Sequence, residues 1–189
     1  LIVAVGCKPA PPTAREIPRP AIGAPGNVVS GALGSVLNPA RSPRGANDWS
    51  CQPSPEHPNP VVLVHGTLGN AYDSFSGLAP VLDHHGYCVF AVNYGAASWK
   101  LFKGTGDIPN SAGQIGAFVD QVLAATGADE VDLVGHSQGG SVSRYYANLI
   151  GGDAKVGTVV GLAPSNHATS LSGLVTLGAV SYTHLRAHE

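Results

Sequence analysis

Ser137 is the residue in this sequence best placed to act as a nucleophile. It lies at the centre of Gly135-His136-Ser137-Gln138-Gly139, which follows the apolar run Val131–Val134 and precedes a helix-like segment. The pattern G-x-S-x-G is typical of a sharp turn from a strand into a helix, with the serine hydroxyl exposed at its apex. Gly135 and Gly139 suit such a turn because larger side chains two positions from the serine would collide. The pentapeptide alone also occurs in ordinary turns of glycine-rich chains.

The segment His65-Gly66-Thr67 is a second candidate for the same chemistry, since it follows the β-branched run Val61–Val64. Enzymes with a serine on such a turn bind the reaction's oxyanion through two backbone N–H groups. One belongs to the residue after the serine, here Gln138, and the other to a loop after an earlier strand. Gly66 allows the backbone to turn so that the Thr67 amide points at the substrate, with Leu68 as the alternative donor. An ordinary strand-ending turn is the competing interpretation.

Apolar runs alternate with segments of helical periodicity along the chain. The runs are Val61–Val64, Cys88–Val92, Val131–Val134 and Val156–Leu162, and the helical segments are Phe75–His85, a long helix opening at Ser111 and ending at Gly127, and Gly139–Ile150. For the long helix, Ser111 and Gln114 fit a capping box. Strands that are unbroken apolar runs separated by helices predict an α/β fold with a mostly parallel sheet covered on both faces.

The composition narrows the class of partner. Charged residues make up 12% of the chain and the formal net charge is −2, so neither nucleic acid nor an anionic membrane surface is favoured. No apolar run approaches the roughly 18 residues of a transmembrane segment. Nothing in the sequence indicates an oligomeric state.

Residues 1–46 are predicted to form a leader rich in Pro, Gly and Ala, since twelve of the fifteen prolines precede Val61. Its first residues, Leu1 to Gly6, are typical of the end of a signal-peptide apolar region. Secretion is therefore expected, with lipid attachment at Cys7 as the less favoured alternative.

Cys51 and Cys88 are expected to form a disulfide, because Cys51 precedes the first strand, Cys88 opens the second, and these strands should be neighbours. The bridge would place the protein in an oxidising compartment. Two buried free thiols are the alternative.

Taken together, His65-Gly66-Thr67, the Gly135–Gly139 pentapeptide and the stretch Gly161–His167 resemble bacterial secreted class 2 lipases, most closely the actinobacterial ones. The resemblance runs from about residue 47 to about residue 179. It implies a three-layer α/β-hydrolase fold, extracellular location, and hydrolysis of triacylglycerols through an acyl-enzyme on Ser137. It also implies Thr67 and Gln138 as oxyanion donors, a histidine base oriented by an acid, and no cofactor or metal.

The histidine and the acid are harder to place. In this fold they follow the serine in the order acid, then histidine, and the candidates Asp132, Asp153 and His167 are poorly positioned for those roles. Residues 181–189, which include His184 and His188, break from the preceding composition and are interpreted as a non-native tail. We therefore expect the hydrolase domain, residues 47–180, to be incomplete at its C-terminus, without its acid and base, and inactive as printed.

Other interpretations remain open. The same fold and acyl-enzyme serve short-chain esterases and acyltransferases, and the chain as printed could be a non-catalytic lipid-binding fragment. The loop after the second strand carries residues that could form an acyl-chain wall or lid, or simply pack within the loop: Tyr94, Trp99, Leu101 and Phe102. Lys103 and Asp107, in the same loop, are expected to be solvated.

Overall fold

The computed structural model describes residues 40–96 and 102–165. Within these residues the strands are β1 (Val61–Val64), β2 (Val89–Val92), β3 (Val131–His136) and β4 (Val156–Leu162). The helices are α1 (Ala71–Phe75), α2 (Ala79–His84), α3 (Ile108–Thr126) and α4 (Gln138–Leu149). The strands pair in parallel in the order β2-β1-β3-β4.

Alternate residues of the sheet supply the cores of its two faces. Val62 and Val64 of β1 face one core together with Ile115 of α3 and Val142 of α4. Leu63, one position along β1, faces the other core, which α1 and α2 cover. β1 and β2 are therefore buried on both sides, which explains their unbroken apolar sequences. The predicted three-layer α/β architecture with a parallel sheet is confirmed.

The prediction of a single helix over residues 75–85 is wrong, because the structure has two short helices over residues 71–84. Asn70 caps α1 by accepting N–H bonds from Tyr72 (2.9 Å) and Asp73 (3.0 Å), so this helix begins earlier than expected. α1 ends at Phe75, and α2 starts anew at Ala79 with Pro80 in its first turn. Proline suits that position because first-turn N–H groups have no helical acceptor.

The start predicted for the long helix is also wrong. α3 begins at Ile108, and its N-cap is Asp107, whose carboxylate accepts the Asn110 N–H at 3.0 Å. Ser111 lies inside the helix and is buried. Gln114 accepts the N–H of Gly95 at 2.8 Å instead of closing a capping box. The C-terminal end at Gly127 is as predicted, with a left-handed φ of 69° that glycine tolerates.

The expected pairing of Cys51 with Cys88 is present as a disulfide, with a Cα–Cα distance of 5.7 Å. It ties the segment before β1 to the residue that precedes β2. Asn47 strengthens the same junction, because its side-chain oxygen accepts the Ala91 N–H at 2.7 Å and its own N–H donates to Val89 O at 2.9 Å. The free edge of β2 is thus held by the chain that leads into β1.

Apolar side chains are exposed on the outermost strand, β4. Val160 and Leu162 are 42% and 39% exposed, unlike the residues of the inner strands. Within residues 40–96 and 102–165, no helix combines the length and the apolar character needed to cross a membrane.

Candidate active site

Ser137 occupies the turn between β3, which ends at His136, and α4, which begins at Gln138. Its φ of 52° and ψ of −124° lie where a residue with a side chain is strained. Such a conformation costs on the order of 1–3 kcal/mol and persists only where the surrounding structure enforces it. Ser137 is partly exposed at the carboxyl end of the sheet, whereas the next three residues of α4 are buried.

The two flanking glycines are required by close packing of backbone on backbone. A Cβ on Gly135 would lie 2.5 Å from the carbonyl carbon of Gly139. A Cβ on Gly139 would collide with the carbonyl oxygen of Val64 and lie 2.6 Å from that of His65. The first turn of α4 is therefore pressed against the end of β1, and the glycine spacing follows from this contact.

The loop after β1 lies directly beside Ser137. A Cβ placed on Gly66 would lie 3.0 Å from the Cβ of Ser137 and 3.3 Å from the carbonyl oxygen of His136. Leu68 donates its N–H to the carbonyl oxygen of Lys103 at 2.9 Å. Because this hydrogen bond already uses the Leu68 N–H, it argues against Leu68 as the oxyanion donor of this loop, for which Thr67 and Leu68 were the two candidates.

His65 is fully buried under this loop as a neutral imidazole. Its Nδ1 lies 2.8 Å from the carbonyl oxygen of Gly66, and its Nε2 lies 3.5 Å from the Tyr94 nitrogen. Because the carbonyl can only accept and the amide can only donate, the proton is on Nδ1 and Nε2 is an acceptor. Burial, with a smaller contribution from the charge of Lys103, lowers the pKa of His65 to about 4, against the opposing effects of the Gly66 hydrogen bond and Asp73. With both nitrogens engaged, this imidazole is not placed to take a proton from Ser137.

The expectation that Lys103 is solvated is wrong. Its side chain is 1% exposed, and its backbone N–H donates to the carbonyl oxygen of Gly69 at 3.2 Å. Burial lowers the pKa of its ammonium group. No periodicity marks residue 103 as buried, so sequence patterns could not have identified it. Asp107, in contrast, is the N-cap of α3.

The comparisons with known proteins agree with this geometry. Residues 59–179 match the family described as the alpha/beta hydrolase fold. This chain belongs to that family. The match spans β1 to β4 and therefore includes both the Ser137 turn and the loop after β1.

Bacterial lipases are among the relatives of this hydrolase-fold chain. It is 45% identical over 94 residues to a triacylglycerol lipase of Pseudarthrobacter phenanthrenivorans, covering 47% of this chain and 28% of the relative. Identity to a triacylglycerol lipase of Burkholderia plantarii is also 45% over 94 residues, covering 47% and 25%. The alignments thus span about a quarter of the length of these relatives, and the resemblance to bacterial lipases expected from the sequence is confirmed.

Among solved structures, a mature lipase from Bacillus licheniformis superposes with a TM-score of 0.52 at 19% identity. The superposition covers 76% of this chain and 53% of that one, and it shows the shared fold.

The part of this hydrolase-fold chain that the structure describes brings no histidine–carboxylate pair to Ser137. Asp132 lies at the start of β3, away from the Ser137 turn, and accepts a hydrogen bond from the Asn59 side chain at 3.3 Å. Asp153 precedes β4 and so lies at the same distant end of the sheet. Within residues 40–96 and 102–165, no hydrogen bond joins a histidine to a carboxylate. His167, His184 and His188 lie outside the described residues.

The residues considered for an acyl-chain wall have different environments. Tyr94 is buried, with its ring stacked on His65 at 4.4 Å between centroids, which is packing between the loop after β2 and the loop after β1. Phe102 is 58% exposed. Trp99 and Leu101 lie outside the described residues. Of this group, only Phe102 presents a large apolar surface to solvent in the described structure.

Proposed function

We propose that this chain carries the nucleophile and oxyanion pocket of a serine hydrolase that cleaves carboxylic esters of lipids, with triacylglycerols as the substrate class. The proposal is carried by one observation: Ser137 is held at positive φ between β3 and α4, against Gly66 of the loop after β1. Strain of this kind concentrates at functional sites. The 45% identity to triacylglycerol lipases supports the choice of lipid esters.

In the proposed reaction the Ser137 hydroxyl attacks the ester carbonyl carbon, and a general base removes the hydroxyl proton as the C–O bond forms. The carbonyl oxygen becomes an oxyanion, which we assign to the N–H groups of Thr67 and Gln138. Gln138 is the first residue of α4, so its N–H has no acceptor within the helix and lies at the positive end of the helix dipole. Collapse of the intermediate expels the alcohol, which takes the proton, and leaves an acyl-enzyme on Ser137.

Water then attacks the acyl-enzyme by the same route and releases the carboxylic acid. The general base is assigned to a histidine, oriented by an acid, outside the described residues. The reaction needs neither metal nor organic cofactor. We place the protein in the extracellular medium, because the disulfide of Cys51 with Cys88 suits an oxidising compartment.

The test uses the gene taken from its source DNA, so that any coding sequence on either side of the printed chain is included. Wild type, Ser137→Ala and the matched control Ser143→Ala are treated with a fluorophosphonate and assayed on p-nitrophenyl butyrate and emulsified triolein. Ser143 is a suitable control because its buried hydroxyl has no hydrogen-bond partner within residues 40–96 and 102–165. Removing the nucleophile should lower kcat by about a millionfold, as in other serine hydrolases, and abolish labelling; Ser143→Ala should retain both.

Two results would overturn the proposal. Turnover of p-nitrophenyl butyrate with no turnover of triolein would indicate a short-chain esterase, not a lipase. Absence of labelling and turnover in the wild-type product of the intact gene would favour a non-catalytic lipid-binding protein. We expect the printed 189-residue chain, assayed in parallel, to be inactive. Asp153 is the only acid between Ser137 and the three histidines that follow it in the sequence, and Asp153 lies at the end of the sheet away from Ser137.

A further inference from the structure

Backbone hydrogen bonds in both directions join the loop after β2 to the loop after β1. Leu68 donates to the carbonyl oxygen of Lys103 at 2.9 Å, and Lys103 donates to that of Gly69 at 3.2 Å. Gly104 donates in turn to the carbonyl oxygen of Tyr94 at 2.9 Å. Because buried backbone groups must find partners, these bonds fix the spacing between the two loops.

Tyr94 adds the most direct side-chain contact. It is 1% exposed, and its hydroxyl donates to the carbonyl oxygen of His65 at 2.6 Å. Its ring is stacked on the imidazole, with 21° between the ring planes. The phenol and the stacking together hold both the backbone and the ring of His65, as expected for a buried tyrosine with a satisfied hydroxyl.

The imidazole in turn holds the next peptide unit. The Gly66 carbonyl oxygen accepts the Nδ1–H of His65 at 2.8 Å and the N–H of Gly69 at 3.3 Å. Gly104 also packs closely on this oxygen, since a Cβ there would lie 2.7 Å from it. The peptide plane between Gly66 and Thr67 is therefore restrained on its carbonyl side.

That restraint sets the direction of the Thr67 N–H. A trans peptide is planar, so its carbonyl and its N–H point to opposite sides, and no peptide among the described residues is cis. Holding the Gly66 oxygen toward His65 and Gly104 therefore directs the Thr67 N–H away from them. Rotation of this one peptide plane would misdirect the donor assigned to the oxyanion.

We propose that Tyr94 and His65 are positioning residues for the Gly66–Thr67 peptide, with Tyr94 locking the imidazole and the imidazole locking the peptide plane. The Thr67 role rests on the proposed function, whereas the restraint on the peptide does not. Neither residue touches the substrate in this arrangement. Their effect is to keep one oxyanion donor in place before the substrate arrives, which is the condition for electrostatic stabilisation of the transition state.

The experiment compares Tyr94→Phe with Tyr146→Phe in the product of the intact gene. Tyr146 is also a buried tyrosine, and its hydroxyl has no hydrogen-bond partner among the described residues. In Tyr94→Phe we expect kcat for p-nitrophenyl butyrate to fall by about tenfold to a hundredfold with KM unchanged, since loss of a whole oxyanion donor costs about a hundredfold or more. Tyr146→Phe should change neither constant.

A spectroscopic measurement separates this proposal from the assigned reaction. The ¹⁵N order parameter of the Thr67 amide in the ligand-free protein should fall from about 0.85, typical of rigid backbone, to below about 0.6 in Tyr94→Phe. An unchanged Thr67 order parameter in folded Tyr94→Phe would overturn the positioning role. Ester turnover that survives Ser137→Ala would overturn the proposed function while leaving this measurement valid.

A second pair of variants carries the test if Tyr94→Phe fails to fold. His65→Asn retains an N–H donor close to the position of Nδ1, whereas His65→Leu removes it. We expect His65→Asn to retain at least tenfold more kcat than His65→Leu and a more ordered Thr67 amide. Equal kcat and equal order in the two variants would contradict the assigned hydrogen bond.

Discussion

Gly66 and Ser137 meet across the gap between the ends of β1 and β3, so closely that a Cβ on Gly66 would lie 3.0 Å from the Cβ of Ser137. The proposed nucleophile therefore lies directly beside the proposed oxyanion loop, and the absence of a side chain at Gly66 allows this close approach. The contact depends on two turns from different parts of the chain that reach the same edge of the sheet.

This contact predicts the effect of Gly66→Ala. The added methyl group should push the loop or the serine by a few tenths of an ångström and lower kcat/KM for p-nitrophenyl butyrate by up to about a hundredfold. Gly77→Ala is the matched control, because, apart from its two chain neighbours, no described residue has an atom within 4 Å of a Cβ at Gly77. Equal activity of the two variants would show that the loop has more room than the structure indicates.

Buried His65 makes stability depend on pH. Its pKa is about 4 in the folded protein against an ordinary value of 6.5. Between these values the unfolded chain binds a proton that the folded protein does not, so stability falls as pH drops from 6.5 to 4 and is unaffected above 6.5. The loss should total about 3 kcal/mol. Urea unfolding of wild type and His65→Asn across this range checks it, since the variant should lack this part of the pH dependence.

Two glycines one helical turn apart in α3 should respond oppositely to substitution. Apart from the backbone of its own helix and its chain neighbours, no described residue has an atom within 4 Å of a Cβ added to Gly113, so Gly113→Ala should stabilise the protein by up to about 1 kcal/mol through helix propensity alone. A Cβ at Gly116 would lie 2.8 Å from the ring of Tyr146, so Gly116→Ala should destabilise by about 1–3 kcal/mol. Thermal unfolding of both variants gives the comparison, and a shift of the same sign would refute the packing of α3 against α4.

The disulfide predicts a third change in stability. It joins residues 37 positions apart, and replacing both cysteines in Cys51→Ser/Cys88→Ser should lower the free energy of unfolding by about 2–4 kcal/mol. Dithiothreitol should reproduce this loss in wild type and have no effect on the double variant. Wild-type stability that is insensitive to reductant would contradict a structural role for the bridge.

The elements predicted best from the sequence were those determined by local apolar runs. β1 and β4 have the predicted bounds, because short β-branched runs at these places form strands buried, or partly buried, within a parallel sheet. The Ser137 turn was also recognisable, since its glycines are required by backbone contacts that any such turn makes. These features depend on only a few neighbouring residues.

Features that depend on distant contacts could not be predicted. Gln114, inside α3, accepts a hydrogen bond from Gly95 of the loop after β2, and that contact replaces the expected capping box with Ser111. Lys103 is buried because its loop packs on the loop after β1, which no periodicity in its own segment reveals. The roles of Tyr94 and His65 became visible only once β1 and β2 were placed side by side.

For the hydrolase that we propose, the strand order β2-β1-β3-β4 also determines where the substrate enters. β1 leads to α1 and α2 on one face of the sheet, whereas β3 leads to α4 on the other, so two adjacent strands send the chain in opposite directions. Gly66 and Ser137 follow the two strands concerned, and open α/β sheets bind their ligands in a crevice at such a reversal. Its position is a property of the chain's path, independent of the residues along its rim. In the proposed hydrolase, selectivity for acyl chains can therefore change through the surrounding loops while Ser137 stays fixed as the point of attack.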